Sequence, residues 1–331
     1  MHILLTGATG FVGQRLARHL IRQGHTVTAL VRAVSSPPAL QRLRSLGVSC
    51  TVTELQESRT LSCALKEADA VMHLAAVTRA ADARDYHRVN AGGTRAVLRT
   101  AAALGTPPTV VFCSSIAAAG PSTPGRPRTE TDAPAPVSHY GRSKLAAEAV
   151  VRGHADRVPA TIVRPPVVYG PGDPGLFPTL AGMVRAGVGV RPAPSGAHYC
   201  LVHVDDLCAA LLTALTAGRR LGPEEPGAGM YQVCDGTPRS WQEICRSAAR
   251  ALDRKPPLLL SLPRTAVMAA AAVAEAAARS RGGQALLNRD KARELVQASW
   301  TCTSDQARAE LGFVPVRTAL DREFRAALAD P

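Results

Sequence analysis

The chain has 331 residues, nearly half of them hydrophobic, and a formal charge of +13. That is enough to bury a sizeable core in two domains, or in one large lobe with an appendage. The excess charge is arginine spread along the chain and not interleaved with aromatics, so it reads as compositional bias and excludes nucleic acid as a partner. No uninterrupted apolar run spans a bilayer: the longest candidate, residues 258–278, is broken by Pro263, Arg264 and Glu275.

The first element is a short apolar strand, His2-Ile3-Leu4-Leu5, followed at once by Thr6-Gly7-Ala8-Thr9-Gly10-Phe11-Val12-Gly13 and a helical stretch to Gln23. Strand, glycine turn and helix in that order make a phosphate cradle. Gly7 permits the tight turn, Gly10 leaves room for a pyrophosphate against the backbone, and Gly13 lets helix and strand pack closely. The helix start then presents free N–H groups to the phosphates. Because a strand needed for the fold begins at residue 2, no signal peptide is expected. The eight cysteines form no C-x-x-C pair, which fits reduced, mostly buried thiols and a cytoplasmic location. A metal nest of His198, Cys200 and His203 is set aside in favour of a strand-to-helix junction, so no metal is expected.

Apolar runs near 3–5, 26–31, 48–52, 70–74, 109–112 and 161–163 alternate with helical patterns at 14–23, 39–46, 61–67, 87–104 and 140–153. Such alternation predicts an α/β fold, a doubly wound parallel sheet covered by helices on both faces. From Pro165 to Gly196 proline and glycine are dense, which reads as loops. A helix over 205–217 and a last sheet strand at 231–234 follow. Helices near 241–252, 264–280, 290–297, 305–311 and 319–329 then form a smaller, mostly helical C-terminal part. The division expected is a dinucleotide-binding domain of residues 1–165, with 200–235 returning to it, and a substrate-binding domain of 166–199 and 236–331.

Several positions carry chemistry. Arg32 ends the second strand and is followed by Ser35 and Ser36. A guanidinium there suits a 2′-phosphate, where a carboxylate would suit free ribose hydroxyls. NADP(H) is therefore the preferred cofactor, with NAD(H) possible. Glu54 and Leu55 follow the third strand, where an acid can accept from the adenine amino group. Leu74, Ala75 and Ala76 are small enough for a ribose to lie against the backbone. Asn90, before Gly92-Gly93, is placed to brace that backbone, and the paired glycines point to close helix packing. Tyr140 and Lys144 stand four apart on one helix face. A nearby ammonium lowers a phenol's pKa, which makes tyrosine a usable acid and base. Ser115, just after the strand of Phe112, can hold the same substrate oxygen.

Thr6–Gly13, His73–Ala76, Asn90–Thr94, Ser114-Ser115-Ile116, Tyr140…Lys144, Arg164–Asp173 and Val202–Asp206 occur in that order. Over roughly residues 1–235, and again at Trp300…Leu311-Gly312-Phe313, the chain resembles an extended short-chain dehydrogenase/reductase of the NAD(P)-dependent epimerase/dehydratase superfamily. The resemblance implies a Rossmann-like fold and a catalytic triad of Ser115, Tyr140 and Lys144, the lysine also binding the nicotinamide ribose. It also implies that Pro165 to Val167 line the nicotinamide amide and that Gly7, Gly10, Phe11, Val12 and Arg32 hold the phosphates and adenosine. The full cofactor set expected is Thr6, Gly7, Thr9, Gly10, Phe11, Val12, Gly13, Arg32, Glu54, Leu55, Leu74, Ala75, Ala76, Asn90, Pro165 and Val167, with Tyr140 and Lys144 shared. A homodimer through the helices of Asn90 and Tyr140 is implied by the resemblance alone.

Two departures bear on the substrate. Ser115 is followed by Ile116-Ala117-Ala118 and not by the acid of nucleotide-sugar dehydratases, and Pro166 replaces the asparagine that sugar epimerases tend to carry. Ser114 to Pro121 is similar to the 3β-hydroxysteroid dehydrogenase and dihydroflavonol reductase-like branch. The expected activity is thus NADP(H)-dependent interconversion of a ketone and a secondary alcohol on an apolar small molecule. The alternatives are a nucleotide-sugar epimerase with retained NAD and a catalytically silent NAD(P)-binding protein.

Overall fold

The computed structural model describes residues 1–331 except 57, 81, 192–195, 223–226 and 330–331. The first half is a β/α alternation: β1 (His2–Thr6), α1 (Phe11–Arg22), β2 (Thr26–Val31), α2 (Pro37–Ser45), β3 (Ser49–Val52), α3 (Ser58–Lys66) and β4 (Ala70–His73). A long helical run follows, made of α4 (Ala83–Tyr86), a π turn (His87–Ala91) and α5 (Gly92–Ala102). Then come β5 (Thr109–Cys113), α6 (Ile116–Ala119), α7 (His139–Arg152) and β6 (Ala160–Arg164).

The remainder runs β7 (Val167–Tyr169), α8 (Leu176–Ala186), β8 (Val188–Arg191), β9 (His198–Tyr199), β10 (Leu201–His203), α9 (Val204–Thr216), β11 (Met230–Gln232) and β12 (Arg239–Ser240). The C-terminal helices are α10 (Trp241–Ala251), α11 (Arg264–Arg279), α12 (Arg289–Leu295), α13 (Asp305–Leu311) and α14 (Leu320–Ala329), with β13 (Leu258–Ser261) between the first two.

One sheet of seven strands organises the chain, in the order β11-β6-β5-β4-β1-β2-β3, and every pairing in it is parallel. The order reverses between β1 and β4, the switch point beyond whose strand ends ligands bind in such sheets. Side chains alternate along each strand, so Ile3 and Leu5 join a core with α1 and α9, while Leu4 joins the opposite core with α3, α5 and α7. Both faces are covered, which is why the strands read as continuous apolar runs. A third core, built around Tyr169, Tyr199, Trp300 and Phe324, gathers α8, α10, α14 and three two-stranded ladders, while α11 and α12 pack on each other and α13 joins the first core. Among the described residues no helix is long and apolar enough to cross a membrane.

The stretch read as loops contains more than loops. Residues 176–186 form α8, because the Asp173 carboxylate accepts the N–H groups of Gly175, Leu176 and Phe177 and Phe177, Leu180 and Val184 are buried. Pro178 falls in the first turn, where its missing N–H costs nothing. Positions 192–195, within the same Pro/Gly-dense stretch, lie outside the described residues.

Candidate active site

The glycine turn is built as its spacing demands. Gly7 has φ +74°, and a Cβ on it would stand 2.7 Å from the Leu74 and Ala75 backbone. A Cβ on Gly13 would stand 2.1 Å from the Gly7 carbonyl oxygen, so helix and turn touch there. Gly10 differs: its added Cβ would meet only the Gly7 carbonyl oxygen, at 3.4 Å, and its other side is open. Gly10 is also the N-cap of α1, with no side-chain cap and no acid in the first turn. The α1 N–H groups are therefore left for an anion, and the fit to a pyrophosphate is good. Phe11 faces Gly172 across the cleft, 3.7 Å from where a Cβ would be.

Thr6 ties the turn to the next strand. Its hydroxyl accepts from the Ala75 amide at 3.1 Å and meets His73 Nδ1 at 2.7 Å, while His73 Nε2 meets the Thr94 hydroxyl at 3.0 Å. Burial, and then the Lys144 charge, lowers the His73 pKa to about 3, so the ring is neutral. Leu74 and Ala76 flank Ala75 in the same half-buried loop. Arg32 is exposed; its amide donates to the Ser35 hydroxyl at 3.1 Å, and no side-chain partner is present among the described residues. Glu54 is exposed, and Leu55 Cδ1 would lie 3.2 Å from a Cβ on Gly93, a tight contact that a small shift of the leucine relieves, while a Cβ on Gly92 would meet only the His87 carbonyl at 3.8 Å, so packing does not require the paired glycines. Thr9 gives its carbonyl to Gln14 Nε2 at 2.9 Å, and Val12 is half-buried on α1.

Asn90 is fully engaged as a brace. Its carboxamide oxygen accepts from the Val77 amide at 2.8 Å, and its nitrogen donates to the Val77 carbonyl at 3.1 Å and the Ser143 hydroxyl at 2.8 Å. It thus fastens the loop after β4 to α7. Pro165 holds the start of α6, its carbonyl accepting from the Ile116 amide at 2.9 Å, and Val167 opens β7 half-buried beside it.

Ser115 caps α6, accepting from the Ala117 amide at 3.1 Å, and its hydroxyl is close enough to the Tyr140 phenol to pull that group's pKa down. Lys144 is 2 % exposed; it donates to the Cys113 carbonyl at 2.7 Å and lies 4.2 Å from the centre of the Phe112 ring. Burial lowers its pKa to about 8. The phenol of Tyr140 departs from the sequence expectation. Burial, and then the Glu294 carboxylate, push its pKa up, against the opposing influence of the Ser115 hydroxyl. The Lys144 ammonium donates to a main-chain carbonyl and is not among the largest influences on the phenol.

What holds the start of α7 comes from far along the chain. Asp290, on α12 and 150 residues away, accepts from the His139 amide at 2.7 Å and the Tyr140 amide at 3.0 Å. Glu294 accepts from the Ser138 hydroxyl at 2.6 Å, and Ser138 caps the helix at the Gly141 amide at 2.9 Å. Burial, and then Asp290, raise the Tyr86 pKa against the opposing influence of Asn288, just before α12, and the Tyr86 ring lies 6.3 Å from that of Tyr140. Only the carboxylate spacing Asp290…Glu294, one helical turn, could have hinted at a shared face.

Residues 3–233 match the NAD dependent epimerase/dehydratase family. The chain belongs to that family. It is an extended short-chain dehydrogenase/reductase, an enzyme whose cofactor is NAD(P). Its relatives within the epimerase/dehydratase family differ in what they do. It is 32% identical over 308 residues to a ceramide reductase of Caulobacter vibrioides, covering 91% of this chain and 86% of that one. It is 31% identical over 277 residues to a UDP-glucose 4-epimerase of Vibrio cholerae, covering 79% and 78%. The crystal structure of gox2253 superposes with a TM-score of 0.76 at 30% identity, over 99% of this chain and 96% of that one.

Proposed function

We propose that this enzyme is an NADP(H)-dependent oxidoreductase that interconverts a ketone and a secondary alcohol on an apolar small molecule, with Tyr140 as general acid and base. The observation that carries the reading is the closeness of the half-buried Tyr140 phenol to the Ser115 hydroxyl, just past the C-terminal end of β5, near enough for the hydroxyl to pull the phenol's pKa down. Two O–H groups that meet can both donate to one carbonyl oxygen. Burial and the Glu294 carboxylate keep the phenol protonated at neutral pH, as a proton donor must be.

NADPH, when bound, supplies the hydride. The chain's own work is to hold the oxygen between Ser115 and Tyr140 and to pass the Tyr140 proton to it. The α1 start with Gly10 would take the pyrophosphate, Arg32 with Ser35 the 2′-phosphate, and Lys144 the nicotinamide ribose. No carboxylate stands at position 32, which supports NADP(H) over NAD(H). Ile116, Ala117 and Ala118, all buried, follow Ser115 directly, and the relative that reduces a ceramide acts on a lipid. Both favour an apolar ketone. On this reading residues 166–199 and 236–331 form the substrate-binding part and 1–165 with 200–235 the cofactor part. A homodimer through α5 and α7 and a cytoplasmic location belong to the same proposal.

A second reading, sugar-nucleotide epimerisation, is supported by the Vibrio relative. The two separate in one experiment: NADPH oxidation followed against ketones of increasing chain length and ring size, beside an assay of the purified protein for tightly held NAD. Turnover of an apolar ketone that vanishes in Tyr140→Phe supports the reductase. Retained NAD with no net redox change on any ketone would overturn it.

A further inference from the structure

The cysteines are dispersed in sequence, yet three of them meet. Cys200 lies between β9 and β10, Cys234 just beyond β11, and Cys302 in the segment that bridges to Arg128. Their three Sγ atoms lie within 4.8 Å of one another, and all three side chains are buried. Among the described residues this is the one group of three or more His, Cys, Asp or Glu residues whose ligand atoms converge so closely. All three are free thiols.

Their surroundings are those of a ligand set. The Cys302 carbonyl oxygen lies 3.5 Å from Cys200 Sγ and 3.3 Å from Cys234 Sγ. The Cys302 amide points at Cys200 Sγ from 3.5 Å, and the Ser304 hydroxyl at Cys234 Sγ from 3.2 Å. A tetrahedral zinc with bonds of about 2.3 Å to sulfur and about 2.1 Å to oxygen sets S···O near ~3.5 Å and S···S near ~3.8 Å. Both S···O distances already match. Each S···S edge needs to close by about 1 Å at most, a side-chain rotation. The amide and hydroxyl donors offset negative charge on sulfur.

We propose that Cys200, Cys234 and Cys302, completed by the main-chain carbonyl of Cys302, form a site for one thiophilic divalent cation of the zinc class. One M²⁺ and three thiols give a singly negative tris-thiolate complex and three released protons. Soft sulfur donors select such ions over Mg²⁺ or Ca²⁺. The site is closed and structural. It bolts the end of the last sheet strand to the β9–β10 turn and to the C-terminal segment, and takes no part in hydride transfer.

The test uses the full-length, reduced, metal-free protein titrated with Cd²⁺ and then Zn²⁺. The expected result is one equivalent bound, an ultraviolet thiolate-to-cadmium charge-transfer band, and a native mass increase equal to the metal less three protons. The melting temperature should rise with the same stoichiometry. Cys200→Ser, Cys234→Ser and Cys302→Ser should each abolish the band, while Cys208→Ser and Cys245→Ser, elsewhere in the core, keep it. Wild-type protein that binds no stoichiometric Cd²⁺, or a band that survives all three substitutions, overturns the proposal. The wild-type titration and mass decide the matter even if a serine variant fails to fold.

Discussion

Asp290→Asn tests how the C-terminal region holds Tyr140, the proposed acid. Asp290 is 8% exposed and its two oxygens accept the His139 and Tyr140 amides at 2.7 and 3.0 Å. A charged acceptor contributes about 1.5–3 kcal/mol, against about 1 kcal/mol for a neutral one. The carboxamide keeps one acceptor and turns an NH₂ towards the second amide, so one of the two bonds is lost. Loss of negative charge at a helix N-terminus adds about 0.5 kcal/mol. The expected destabilisation is about 2.5–5.5 kcal/mol, a fall in Tm of roughly 5–11 °C at about 2 °C per kcal/mol for a large chain. The first turn of α7 then loosens around Tyr140. A displacement on the order of 1 Å costs up to ~100-fold in rate, so kcat should drop about 10- to 100-fold while NADPH affinity stays put. Glu294→Gln supplies the reading that a purely structural clamp would not move. The Glu294 carboxylate raises the Tyr140 pKa, so its removal must shift the alkaline limb of the reduction rate to lower pH. Thermal melts, steady-state kinetics across pH and a fluorescence titration of NADPH measure all three. If Asp290→Asn loses stability with kcat untouched, and the Glu294→Gln limb does not move, the coupling of α12 to the chemistry is refuted.

Tyr140→Phe should lower kcat by three or more orders of magnitude, roughly the scale of a lost general acid, with NADPH still bound; surviving turnover removes Tyr140 as the acid. Arg32→Asp should move preference from NADPH to NADH, and an unchanged ratio of the two kcat/KM values takes Arg32 out of cofactor selection. His73 has its pKa lowered by burial to about 3, against about 6.5 in an unfolded chain. Between those values the unfolded state binds the extra proton, so stability is full above pH 6.5 and falls as the solution is acidified. At pH 5 the loss is about 2 kcal/mol, read as a shift in urea midpoint that His73→Asn should lack.

The seven sheet strands and the helices between them were legible because double-sided burial writes continuous apolar runs and the helices repeat at 3.6 residues. Strand bounds at 26–31 agree to the residue, and the last strand, expected at 231–234, lies at Met230–Gln232. What was not legible depends on contacts between distant residues. α8 is started by one carboxylate, Asp173, inside a Pro/Gly-rich stretch that reads locally as turns. The ladders β7–β10, β9–β12 and β8–β13 join strands of two to four residues, too short for a period to show. At the site, Gly7, Gly10 and Gly13 were readable because backbone conformation and clearance leave a glycine signature. Asp290 and Glu294 were not, since a carboxylate on a polar helix looks the same whether it faces water or a helix end 150 residues away. The direction of the Tyr140 shift was missed for the same reason. Spacing puts Lys144 on the right face, but only the fold shows its ammonium donating to the Cys113 carbonyl.

The π turn at His87–Ala91 sets Tyr86 and Asn90 in phase with each other. A wide turn holds one residue more than an ordinary one, so excising a single residue there would return the run to regular helix and swing all that precedes it by about 100°. Tyr86 would leave the ring of Tyr140, or Asn90 would let go of Val77 and Ser143; the two attachments could not both survive. Loop insertions elsewhere on the surface should be borne easily, whereas in this stretch chain length itself is under constraint, independent of which side chains occupy it.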